Sequence, residues 1–165
     1  MNRTHITFSQ IGVIRSEHKN AGHTPIQPIY AGGCKGQVEI FPEFVAGLHD
    51  LENFSHIYLI YYFNQAEPAK LTFKPYLQDI ERGIFATRAP CRPNAIGMSV
   101  VEQTGIEGQT LYFDGADILD GTPLLDIKPY TSRFDRIETS RNGWQDDVDE
   151  QTAQKRGRRG YVRNI

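Results

Sequence analysis

Two stretches of the chain crowd polar, Gly and Pro residues between apolar runs: Arg82–Gly97, RGIFATRAPCRPNAIG, and Asp117–Tyr130, DILDGTPLLDIKPY. In the first, Arg88 and Arg92 flank Pro90 and precede Pro93. A proline-stiffened loop would hold two guanidinium groups ready for a carboxylate or a phosphate, although arginines on a turn also serve as plain surface charges. In the second, Asp117, Asp120 and Asp126 fall close together, and Gly121-Thr122-Pro123 makes a turn beside Asp120. Carboxylates so placed suit a ribose diol or an ammonium group; Asp beside Gly equally caps a turn through its own backbone.

The chain has no GxSxG, no GxGxxG, no Walker loop and no HExxH, so hydrolase and P-loop chemistry lose their usual support. His5, His18, His23, His49 and His56 show no ligand spacing, and Cys34 and Cys91 stand alone. No metal site and no disulfide framework is expected. His56, inside the apolar run FSHIYLIYY, reads as a hydrogen-bonded core or interface residue.

The elements that must position these residues are mostly strands. At 165 residues and 39% hydrophobic, the chain suits one domain with a real core. Strands are predicted from Phe8 to Arg15, Gly36 to Phe41, Ser55 to Phe63, Gly83 to Thr87, Ile96 to Gln103, Thr110 to Phe113 and Leu124 to Lys128. Turns are expected at Thr104-Gly105 and Glu107-Gly108. SHIYLIYYF is apolar almost throughout, as in a strand buried on both faces or closing a barrel. Phe44, Leu48 and Leu51 recur at helical spacing and predict one short helix. Many short strands with few helices predict a mostly β, single-barrel domain with short peripheral helices, not a Rossmann sheet.

Residues 5–140 are read as that barrel and 141–165 as a charged C-terminal extension, in which Asp146 to Arg156 predicts a peripheral helix. Residues 151–165 carry five of the 18 basic residues and none of the 20 acidic ones. Such a tail could meet RNA phosphates or be a solvated end. No stretch reaches signal-peptide or membrane-span hydrophobicity, and two isolated cysteines suit a reducing setting. A soluble, cytoplasmic protein without membrane association is expected.

Several long strings occur in order: IGVIRS (11–16), IQP (26–28), GLHDLENFSHIYLIYYF (47–63), FATRAPCRPNAIGMSVVE (85–102) and DILDGTPLLDIKPY (117–130). Through them the chain resembles the TsaA/TrmO family over roughly residues 8–131. The resemblance implies a β-barrel that binds S-adenosylmethionine (AdoMet) near the interface of a homodimer. It also implies methyl transfer to N6 of the threonylcarbamoyladenosine beside the tRNA anticodon. The family's cofactor positions fall on Gln27, Pro28, Ile29, Asn64, Gln65, Arg88, Met98, Asp117, Ile118, Leu119 and Asp120.

Two departures are visible. Relatives tend to carry His-Gln where this chain has Asn64-Gln65, which keeps hydrogen bonding but removes an ionisable ring. The bacterial tRNA enzymes also continue into a further C-terminal domain, where this sequence ends in its basic tail.

Chemistry distributes the roles. Arg88 suits the cofactor's carboxylate, and Asp117 or Asp120 its ammonium and ribose hydroxyls. Tyr58, Tyr61, Tyr62 and Phe63 either place a ring against the sulfonium or fill the core. Asp126 is the candidate proton acceptor, and Arg82 and Arg92 are the candidate contacts to substrate RNA. Two alternatives stay open: methylation of a small molecule, and a non-catalytic barrel that only holds AdoMet or RNA.

Overall fold

The computed structural model describes residues 4–160. Its strands are β1 (Gly12–Ser16), β2 (Lys35–Ile40), β3 (His56–Tyr62), β4 (Thr72–Phe73), β5 (Arg82–Gly83), β6 (Ile96–Glu107), β7 (Thr110–Asp114) and β8 (Thr122–Pro129). Six of them close a barrel in the order β1-β2-β7-β6-β3-β8, while β4 and β5 form a separate pair. The neighbours run antiparallel, and β8 returns to β1 with Gly12 opposite Leu124. Closure removes the unpaired edges that an open sheet of these strands would expose.

The alternation of side chains across a strand fills the interior. Along β3, Ile57, Leu59 and Tyr61 point inward, while Tyr58 and Ile60 are half-buried on the outer face. Ile14, Val38, Val101, Leu111, Phe113 and Leu124 complete the core from the other strands. The apolar run of β3 therefore belongs to a barrel-closing strand, not to one buried on both faces.

Four local expectations need correction. β1 starts at Gly12, and Phe8 is exposed. Gly83 to Thr87 is not a strand: β5 ends at Gly83 and a 3-10 turn, Ile84–Ala86, follows. Thr104-Gly105 is not a turn, because β6 runs through to Glu107 with its register slipping between Gln103 and Gly105, as a bulge allows. The hairpin turns at Gly108, whose φ of 59° favours glycine. The apolar spacing after Pro42 gives two 3-10 segments, Pro42–Leu48 and Leu51–Asn53, broken where Asp50 takes a left-handed φ of 65°.

After the barrel come α1 (Ser132–Asp135), a 3-10 turn (Gly143–Asp147) and α2 (Glu150–Gly157). α2 begins later than its charge pattern suggests because Asp149 is the cap: its carboxylate accepts the Thr152 N–H at 2.8 Å. Among the described residues, no helix is long and apolar enough to cross a membrane. Of the basic tail, residues 161–165 lie outside the described residues.

Candidate functional site

Arg88 lies just past the Ile84–Ala86 turn, and Gln27 precedes the Pro28–Tyr30 turn. The Arg88 Nη1 donates to Gln27 Oε1 at 2.6 Å. Gln27 is set for this because its own Nε2 donates to the Ile26 carbonyl at 2.7 Å, which fixes which end of the amide faces Arg88. Beside them Ile29 is exposed. A fork of N–H donors next to an uncovered apolar side chain suits a ligand with one anionic and one apolar end.

Asp117 is reached from inside the barrel. Ser99 Oγ donates to its carboxylate at 2.7 Å, and the Tyr61 hydroxyl lies 3.0 Å from Ser99 Oγ. With its one proton on Asp117, Ser99 receives that of Tyr61. Burial pushes Asp117 up to about 7, and the Ser99 bond and the nearby Arg88 charge oppose the rise only in part. Burial, and then the Asp117 charge, hold Tyr61 well above the usual phenol range.

Asp120 has the opposite setting. Lys19 Nζ sits 2.6 Å from its carboxylate, and this bond, more than the Ser16 backbone N–H, holds it below the usual carboxylate range. Residues 116–120 are tied to the chain after β1: Ser16 Oγ donates to the Ile118 carbonyl, Asp120 N–H to the His18 carbonyl, and His18 Nε2 to the Ala116 carbonyl at 2.7 Å. Leu119 is half-buried within this loop. Behind it the ligand atoms of Glu17, His18 and Cys34 lie within 4.8 Å of one another, a cluster that sequence spacing does not reveal.

Strand register places Met98 and Asp126. Met98 pairs with Ile60, and Ile60 pairs with Asp126, so the three form one row across β6, β3 and β8. Met98 projects from the face opposite Ser99 and is 48% exposed, enough to touch a ligand. Asp126 accepts Lys128 Nζ at 2.8 Å and the Ile127 N–H at 2.9 Å.

Asn64, exposed like Gln65, lines an open cleft of about 710 Å³ with Phe8, Tyr62, Arg92, Asn94 and Ile96. Arg92 is anchored there through Nη1 to the Thr87 carbonyl. Arg82 instead donates to Gln78 Oε1 at 2.8 Å, and its buried Nε has no partner. His56 is not a core residue: it is exposed, 3.0 Å from Ser55 Oγ through Nδ1. The fold thus bonds Arg88 to Gln27, sets Asp117 within reach of the Arg88 charge, and gathers Asn64 and Arg92 in the cleft. Tyr61 takes the core-filling alternative, and Ser99 is the partner that residue types and spacing do not single out; its position as a lone serine in the apolar run GMSVV is its only signal.

The chain is similar to proteins already known. A protein of Pyrococcus abyssi named a probable S-adenosyl-L-methionine-binding protein is 50% identical over 139 residues, covering 84% of this chain and 76% of the relative. The human tRNA (adenine(37)-N6)-methyltransferase is 35% identical over 132 residues, 76% of this chain and 30% of the relative. The crystal structure of TrmO from Pseudomonas aeruginosa superposes with a TM-score of 0.74 at 41% identity, covering 88% of this chain and 65% of that one. The chain therefore spans less than two thirds of that solved relative and under a third of the human one. Residues 13–136 match the family described as tRNA-methyltransferase O N-terminal domain, and the chain belongs to that family.

Proposed function

We propose that the protein transfers a methyl group from AdoMet to N6 of an adenosine in tRNA, the threonylcarbamoyladenosine at the position 37 named for its human relative. The observation that carries the reading is the bond that brings Arg88 and Gln27 together from separate segments, with the Arg88 charge near enough to act on the buried carboxyl of Asp117. It is supported by relatives named for AdoMet binding and for tRNA methylation.

The residues present fit the cofactor. Arg88 offers a planar donor fork to a carboxylate, and Asp117 and Asp120 offer acceptors to ammonium or ribose hydroxyls. Ile29, Pro28 and Met98 offer apolar surface to the adenine, while Ile118 and Leu119 hold the loop between the two carboxylates. Asn64 and Gln65 supply neutral hydrogen bonds from the end of β3. AdoMet brings an electrophilic methyl on sulfur. The protein's task is alignment, since an in-line displacement needs no protein nucleophile.

Methylated N6 must lose a proton. Asp126 takes it in this reading, because its carboxylate is half-exposed on the same outer row as Met98. Arg92, at the cleft, and Arg82 contact the RNA. Tyr62 and Ile96 face each other across β3 and β6 and are both exposed beside Met98. This apolar strip supports a homodimer whose interface adjoins the cofactor, working in the cytoplasm where tRNA is.

Mapping of methyl groups on tRNA treated with the protein tests the reading, with AdoMet binding as its first requirement. Turnover on a small molecule with no label in RNA would favour the second reading of the same cofactor site.

A further inference from the structure

The charged segment after the barrel is fastened to both loops that carry Gln27 and Arg88. On one side, the Gly157 carbonyl accepts the Ile26 N–H at 2.9 Å. It lies at the end of α2, where helix carbonyls lack intrahelical donors, and Ile26 immediately precedes Gln27. Gly157 also lies flat against Tyr30, which closes the turn after Gln27. A Cβ added at Gly157 would come within 2.5 Å of the Tyr30 ring. On the other side, Trp144 Nε1 donates to the Ala86 carbonyl at 2.8 Å, two residues before Arg88. Gln78 Nε2 returns a bond to the Trp144 carbonyl at 3.1 Å.

Two basic residues of this segment find partners on the chain as well. Arg156 pairs with Asp79 at 2.9 Å, and the Arg159 guanidinium lies 4.0 Å above the Tyr76 ring. The Arg156 pair is solvent-exposed and contributes little by itself. The close packing of Gly157 on Tyr30 and the buried Ala153 hold α2 in place.

We propose that residues 144–159 are a strap that sets the position of Gln27 relative to Arg88, with Gly157 its positioning residue. This rests on the reading of Gln27 and Arg88 as holders of AdoMet. It gives the segment a role in cofactor binding in place of the RNA contact suggested by its charge.

Calorimetry with AdoMet on the intact chain tests it, using Gly157→Val, the pair Gly157→Val/Tyr30→Ala, and Asp149→Ala. A side chain at 157 pushes Tyr30 and its turn, so AdoMet should bind about tenfold more weakly. Removing the ring in the double variant should restore most of the affinity. A merely structural role would lower the denaturation midpoint of Gly157→Val and leave the AdoMet affinity of the folded variant unchanged. A folded Gly157→Val protein with wild-type affinity overturns the strap. Should that variant fail to fold, Asp149→Ala decides, because loss of the cap frays α2 from its far end. Amide exchange at Ile26 should quicken and AdoMet affinity should fall together; faster exchange with unchanged affinity overturns the strap. A wild-type chain that does not bind AdoMet overturns the cofactor reading and the strap with it, whereas wild-type binding with unaffected variants overturns the strap alone.

Discussion

Arg88 and Gln27, 61 positions apart in sequence, meet through a guanidinium-to-amide bond of 2.6 Å. The bond uses one of the five N–H groups of the arginine and leaves the others for a carboxylate. Arg88→Ala should therefore weaken AdoMet binding by about 1.5–3 kcal/mol. Arg88→Lys should recover only part of it, because an ammonium cannot reproduce the planar fork. Calorimetry on folded variants checks both; an unchanged affinity removes Arg88 from the site.

Asp117 makes stability depend on pH. Its carboxyl is raised to about 7 in the fold, from an ordinary 3.8. Between these values the folded chain holds a proton that the unfolded chain has released. Stability should therefore fall as pH rises from about 4 to about 7, by up to ~1.4 kcal/mol per unit from this group, and level off above. Asp117→Asn should remove this fall and be the more stable protein, relative to wild type, at pH 8. Denaturant titrations without AdoMet across that range measure it; parallel curves for the two proteins would assign Asp117 an ordinary carboxylate range.

Gly97→Ala should destabilise the barrel by about 1–3 kcal/mol through overpacking. A Cβ there would clash with the edge of the Tyr61 ring and lie 2.8 Å from Phe63 Cζ. Tyr61 cannot swing aside without losing its bond to Ser99, which in turn holds Asp117. AdoMet affinity should fall along with the chemical-denaturation midpoint.

The barrel is legible in sequence because runs such as GQVEIF and SHIYLIYYF alternate or concentrate apolar residues at strand spacing, and that pattern survives without tertiary context. The Gly83 to Thr87 segment reads as a strand yet packs as a 3-10 turn, a choice made by the loop's attachment and not by its own pattern. The site is legible only as residue types. Asp117 and Asp120 look alike in sequence, and the fold separates them by giving one burial and the other Lys19. In the tail, five positive charges suggest phosphates, and the fold engages two of them, Arg156 with Asp79 and Arg159 with the Tyr76 ring.

RNA binding should then be carried by the cleft. Arg92→Ala should weaken tRNA binding and reduce the slope of log K against log salt by about 0.7, the change for one fewer phosphate neutralised on an unpaired strand. Its AdoMet affinity should be unchanged. Filter binding over a salt series reads both effects on tRNA, and an unaltered slope places Arg92 away from the RNA phosphates.

Methyl transfer itself is tested most directly with labelled AdoMet and total tRNA from a strain lacking the gene, followed by mapping of the labelled nucleoside. Label is expected on N6 of the modified adenosine at position 37, strongly reduced with Arg88→Ala and slowed with Asp126→Asn. A protein that binds AdoMet yet places no label in any tRNA nucleoside would contradict the assignment.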